Sequence, residues 1–132
     1  MRLLIADKLP REHVQTLRKI AEEVEYAPDL TAVTLADHLS NVNVLVVRGT
    51  KVHSNVIERA DALELIVRSG AGTENIDVQA ASARGIYVTN CPDKNSAAVA
   101  ELTIGLLLAV DRRIPDQVSS LADSRWDKTS FS

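Results

Sequence analysis

The amino-acid sequence predicts an α/β fold: a doubly wound parallel sheet followed by one long C-terminal helix. Three observations carry that prediction. Short apolar runs alternate five times with segments whose apolar residues fall at helical spacing, the pattern of strands joined by crossover helices. The run Val42 to Val47 is nearly continuous and β-branched, as in strands buried on both faces. From Ser96 a helical pattern runs through Ala100, Leu102, Ile104, Leu107 and Leu108.

The elements follow in order. Arg2 to Ala6 is an apolar run closed by Asp7, which predicts a buried strand. After Pro10, the residues Val14, Leu17, Ile20 and Ala21 recur at helical spacing. Residues 24–27, "VEYA", give a second strand. Leu30 to Leu39 places Leu35 and Leu39 one turn apart, with Thr31 or Thr34 as the cap. After the third strand at Val42–Val47, Ser54 caps a helix with apolar Val56, Ile57 and Ala60. Leu63 to Val67 is the fourth strand. Ile76 to Arg84 reads as a helix capped by Asn75 or Asp77 and stopped by Gly85. Ile86 to Thr89 is the fifth strand, closed by Asn90-Cys91-Pro92. Asn95 caps the long helix, and Pro115 kinks or interrupts it by removing a backbone donor and clashing one turn back. The pattern resumes to about Asp123 and ends in the tail "SRWDKTSFS".

Composition restricts the function. With 132 residues, 45% hydrophobic and 25% charged, the chain can bury a core of its own. A net charge of −3 gives no reason to expect nucleic acid. The single cysteine, Cys91, excludes an internal disulfide and suits a reducing compartment. It reads as a small buried hydrophobe. The three histidines share no ligand spacing, so no metal site is expected and surface or structural roles are. The opening "MRLLIAD" is too short in apolar residues for a signal peptide. The greasiest stretch, Leu102 to Val110, falls short of the roughly 20 residues that span a bilayer. A cytoplasmic protein without membrane contact is the expectation.

In such a sheet, ligands bind beyond the carboxyl ends of the strands. Arg48, the Arg68–Gly72 loop and the Asn90–Ser96 segment all follow strands, so they should gather at one edge. Gly70 and Gly72 supply only the first two glycines of G-x-G-x-x-G, since Asn75 holds the third position. The loop is a poor pyrophosphate cradle. It is either a plain connection or a nest of backbone amides for a smaller anion. Arg48 and Arg68 are either solvated strand-end charges or forks that grip carboxylate or phosphate. Asn95-Ser96 is either a simple cap or an anion site at a helix N-terminus. Trp126 has the option of covering a core edge. A phosphoacceptor receiver domain shares this sheet type. It needs further acidic residues beside Asp7 and an Asp where Arg48 stands, and the sequence has neither.

Residues 44 to 131 resemble the D-isomer-specific 2-hydroxyacid dehydrogenases. The match lies in "VLVVRGTKV", in "LIVRSGAGTENIDVQAASARGIYVTNCPDKNSAAVAELTIGLLLAVDRRIP" and in "SRW". The resemblance implies a flavodoxin-like substrate domain over residues 1–95, and over 96–132 a helix and arm crossing into a nucleotide-binding domain that this chain lacks. It implies that Arg48 and Arg68 sit near the substrate's phosphate or carboxylate. The amides of Ala71 and Gly72, in the turn opened by Gly70, would hold the carboxylate of the hydroxy acid. Asn95 would lie beside substrate and, with Ser96, beside NAD. Trp126 would pack against a neighbouring subunit in a homodimer formed through the long helix and arm.

Three departures stand out: a short Gly49-Thr50-Lys51 loop, Ala71 where relatives carry Thr or Val, and Glu74 where they carry Asp. The resemblance also implies that the fingerprint and the catalytic Arg, Glu and His lie outside these residues. No catalytic residue is then expected in this chain, and the isolated polypeptide should be inactive and bind NAD weakly or not at all. The expected parent reaction is NAD-dependent oxidation of 3-phosphoglycerate or a similar small anionic D-2-hydroxy acid. The alternative is a non-catalytic module on the same half-fold that binds a small anion or docks through its long helix.

Overall fold

The computed structural model describes residues 1–126 and 129–131; the part of the tail reading that falls on 127, 128 and 132 lies outside them. The chain divides into two compact units, Met1–Lys94 and Asn95–Ser132. The first holds β1 (Arg2–Ile5), α1 (Arg11–Leu17), β2 (Glu23–Tyr26), β3 (Val44–Val47), α2 (Ser54–Arg59), β4 (Leu65–Arg68), α3 (Val78–Ala83) and β5 (Tyr87–Thr89). The five strands form one sheet in the order β2-β1-β3-β4-β5, and every pair is parallel. The predicted fold class is therefore the observed one.

Register explains why the strands read as apolar runs. Leu4, Leu45, Ile66 and Val88 align across four strands and point to one face. Leu3, Val44 and Leu65 align on the opposite face, as do Ile5, Val46 and Val67. The first face packs against Leu35, Leu39, Val56, Ile57 and Ala81, supplied by α2, α3 and the turn before β3. The second is covered by Val14, Leu9 and Leu17 in and around α1. That cover fades toward β5, where Tyr87 is 78% exposed.

Several element expectations change in detail. The segment Leu30–Leu39 is not an α-helix; only a 3-10 turn forms, at Leu35–His38. Thr31 and Thr34 bond to each other rather than capping a helix. Leu35 and Leu39 are nonetheless fully buried, because one tight turn presents the same two side chains as a helical one. The first helix stops at Leu17, and Ile20 is exposed. Ser54 is the first helical residue rather than the cap, a position His53 takes without a side-chain bond. Asp77 does cap α3, its carboxylate accepting from the amide of Ala80 at 2.9 Å. Gly85 has φ of 70°, the left-handed conformation that glycine adopts without a Cβ penalty, so it ends the helix.

The second unit holds α4 (Ser96–Asp111) and α5 (Ile114–Ala122), with a 3-10 turn at Thr129–Phe131. Asn95 stands at the cap position of α4 without a side-chain cap bond. The break expected at Pro115 falls two residues earlier. Arg113 takes a left-handed conformation, and Pro115 sits in the first turn of α5, where its missing N–H costs nothing. No residue of α4 or α5 is buried, and no helix among the described residues is long and apolar enough to cross a membrane.

Candidate functional site

The site is built where β1, β3 and β4 end. The chain leaves β1 toward β2 on one side and returns to β3 on the other, which makes the β1–β3 gap the topological switch point where α/β sheets bind ligands. Here the crevice is filled from within. One carboxylate oxygen of Asp7, just past β1, accepts three backbone amides that follow β3: Arg48 at 2.7 Å, Thr50 at 3.0 Å and Gly49 at 3.1 Å. Partial burial works to raise the Asp7 pKa. The amides of Arg48, Thr50 and Gly49, with the Thr50 hydroxyl, outweigh that and hold the carboxyl below the usual range. The Arg48 loop is thus an anion nest occupied by the protein's own anion. From the sequence Asp7 reads as the end of the first strand and as an incomplete acidic cluster; its partners lie 41 to 43 positions away, so nothing local reveals them.

Backbone and side-chain bonds tie the neighbouring loops to this nest. The amide of Ser69 donates to the Val47 carbonyl at 2.7 Å, and that of Val52 to the Asn75 carbonyl at 2.8 Å. The Asn75 side chain donates to the Thr50 carbonyl at 2.8 Å, so Asn75 stitches loops instead of capping α3. The Cys91 amide donates to the Gly70 carbonyl at 2.9 Å, and the Asn90 side chain to the Ala71 carbonyl. Cys91 itself is half-buried, not the fully buried hydrophobe its sequence context suggested. Arg48, Arg68, Gly70, Ala71 and Gly72 therefore share one rim of the sheet. Asn95, Ser96 and Trp126 belong to the second unit, where Trp126 is 72% exposed.

The two arginines differ. Arg48 is exposed, and its guanidinium has no carboxylate partner among the described residues. Arg68 is largely covered, with 17% of its side chain exposed, and bonds to the Glu74 carboxylate at 3.2 Å. The glycines explain how this pair fits. A Cβ on Gly70 would collide with the Arg68 guanidinium, and one on Gly72 with the Glu74 carboxylate. Neither glycine has a positive φ; what the loop needs from them is close approach of side-chain ends to backbone. The Gly70 amide is spent on a tight turn to the Arg68 carbonyl at 2.9 Å. The amides of Ala71 and Gly72 have no acceptor among the described residues. The buried Nε of Arg68 is likewise without a partner. The rim can accordingly supply one unpaired guanidinium, one paired guanidinium and two adjacent backbone donors to a small anion.

No group of three or more His, Cys, Asp or Glu is placed to hold a metal among the described residues. A pyrophosphate does not fit the glycine loop either. Its third fingerprint position is Asn75, whose side chain is committed to Thr50, and both glycine faces are covered by side chains.

Comparison with known proteins places these observations in a family. A family model described as D-isomer specific 2-hydroxyacid dehydrogenase, catalytic domain, matches residues 3–129. The D-3-phosphoglycerate dehydrogenase of Methanocaldococcus jannaschii is 45% identical over 132 residues, covering 99% of this chain and 25% of that protein. This chain therefore spans about a quarter of the length of the curated relatives it matches. Among solved structures, a protein from Thermus thermophilus aligns with a TM-score of 0.82 and 31% identity, over 96% of this chain and 42% of that one. A cofactor (NAD+)-bound 3-phosphoglycerate dehydrogenase from Entamoeba histolytica aligns with a TM-score of 0.72 and 28% identity, over 85% of this chain and 39% of that one.

Proposed function

We propose a function from the premise that the family match supplies: this chain belongs to the D-isomer specific 2-hydroxyacid dehydrogenases. Our finer reading is that it forms the substrate-binding part of a D-3-phosphoglycerate dehydrogenase. The whole enzyme would oxidise 3-phosphoglycerate to 3-phosphohydroxypyruvate with NAD, in the cytoplasm, on the route to serine. Its curated relatives carry that name. The observation that carries the reading is the rim itself: Arg68 next to the two acceptor-free amides of Ala71 and Gly72, with exposed Arg48 on the adjoining loop.

In this reading the chain's residues bind and orient substrate. The guanidinium groups neutralise its phosphate or carboxylate, and the paired amides fix the carboxylate in one plane. NAD would supply the hydride acceptor. The Gly70–Asn75 loop is unsuited to a dinucleotide, so the part of these residues in the reaction is confined to the substrate. The apolar surface of α4, where Leu102, Leu107 and Val110 are 63%, 65% and 77% exposed, supports a further part of the reading. We assign it to contact with a nucleotide-binding domain or with a second copy, with Trp126 on the same interface.

Amide NMR of the 132-residue chain titrated with 3-phosphoglycerate tests the site. The Ala71 and Gly72 amides should shift, and Arg68→Ala should abolish the shifts; unmoved amides at saturating ligand would refute the reading. The rival reading, a non-catalytic anion module, predicts that inorganic phosphate binds as well as 3-phosphoglycerate, so comparing the two separates them. With NAD and 3-phosphoglycerate the chain alone should produce no NADH at an ordinary enzyme rate.

A further inference from the structure

We propose that Glu74 is a displaceable internal ligand of Arg68, a tethered carboxylate that any anion seated on the rim must first dislodge. The proposal rests on the substrate-binding reading above and deepens it. Three observations carry it. The Glu74 carboxylate is bonded to the Arg68 guanidinium at 3.2 Å and lies against the Gly72 backbone, the same two groups the substrate-binding reading assigns to an anion. The contact is a single-point pair rather than a two-pronged one, and the Arg68 Nε has no partner. The two side chains are also unequally held. Arg68 is mostly buried, whereas the Glu74 side chain is 73% exposed and free to swing outward. It has somewhere to go, since Glu74 also lines a surface cavity with Lys51, His53 and Asn75.

A single-point pair whose carboxylate stands mostly in water is weak, so an incoming phosphate can replace it. The same pair keeps the guanidinium from standing unsatisfied until an anion arrives. The arrangement makes Glu74 a specificity-determining residue. A group that cannot outcompete a carboxylate, such as a hydroxyl or an amide, gains nothing at Arg68.

The test is the affinity of the 132-residue chain for inorganic phosphate and for 3-phosphoglycerate, measured by amide NMR for the protein as it is and for two variants. Glu74→Gln removes the charge. Glu74→Asp keeps the charge but is one methylene too short for the same contact. Both variants should bind phosphate about fivefold more tightly, the equivalent of about 1 kcal/mol. Tighter binding by Glu74→Gln alone would reduce the effect to long-range charge and overturn the proposal. Equal or weaker binding by both would show instead that Glu74 holds Arg68 in a productive position, and would overturn it while leaving the substrate site standing. Absence of binding by the parent and both variants would overturn the proposal and the substrate reading together. Since Glu74 is exposed, all three proteins should fold alike, which circular dichroism checks.

Discussion

Replacing Asp7 removes the anion that organises the loop after β3, and the cost can be worked from its contacts. One carboxylate oxygen holds three amides at 2.7, 3.0 and 3.1 Å. A hydrogen bond to a charged group contributes about 1.5–3 kcal/mol when well shielded. Asp7 is only half-buried, so water competes for the same donors and the sum must be discounted. Asp7→Ala should then cost about 2–3 kcal/mol, and Asp7→Asn, which keeps an acceptor without the charge, about 1 kcal/mol. For a unit of this size each kcal/mol lowers Tm by about 4–8 °C. The pH dependence follows from the direction of the shift. The folded pKa lies below the ordinary value of 3.8. The carboxylate's contribution is therefore fully present above that value and is lost as pH falls through the folded pKa. Thermal and urea denaturation followed by circular dichroism at neutral and acid pH measure both effects. A neutral-pH penalty for Asp7→Ala below about 0.5 kcal/mol, or a gap between parent and variant that stays constant into acid, would refute the account.

Three further outcomes are expected. Ile66→Ala, at a fully buried position in the centre of the sheet, should destabilise by about 3–4 kcal/mol in urea titrations. Gly85→Ala should cost about 1–2 kcal/mol through its left-handed φ alone, because a Cβ there meets no atom within 4 Å. Gly70→Ala should leave the fold intact, since only the far end of the Arg68 side chain has to shift. The same variant should weaken phosphate binding, which calorimetric titration of the two proteins would show.

The scaffold was legible because its signals are local. Val44 to Val47 is buried at every position, and that is what a run without alternation encodes. Asp77 and Gly85 bound α3 with side-chain and backbone chemistry contained within a few residues. The Leu30–Leu39 segment misled because Leu35 and Leu39 satisfy a helical period and a single tight turn equally well. What stayed hidden was long-range. Nothing near Asp7 announces that its carboxylate meets amides at Arg48 to Thr50, and nothing near Asn75 announces Thr50. Glu74 read as a variant flanking a cap; its approach to Arg68 depends on the path of the intervening glycine turn. The gathering of Arg48 and the Arg68–Gly72 loop at one rim could be foreseen from topology, whereas the pairing of one arginine and not the other could not.

The cross-stitching of the three loops has a mechanical consequence. Val47 to Ser69, Asn75 to Val52 and Gly70 to Cys91 are bonded through main-chain atoms, and the Asn75 side chain adds a bond to the Thr50 carbonyl, so the rim behaves as a single stiff plate with the remaining side-chain tips as its movable parts. A guest arriving there has little backbone to freeze, and the entropy of capture is confined to a few rotamers. Tuning which guest is kept then becomes a matter of exchanging tips, with the plate beneath left untouched.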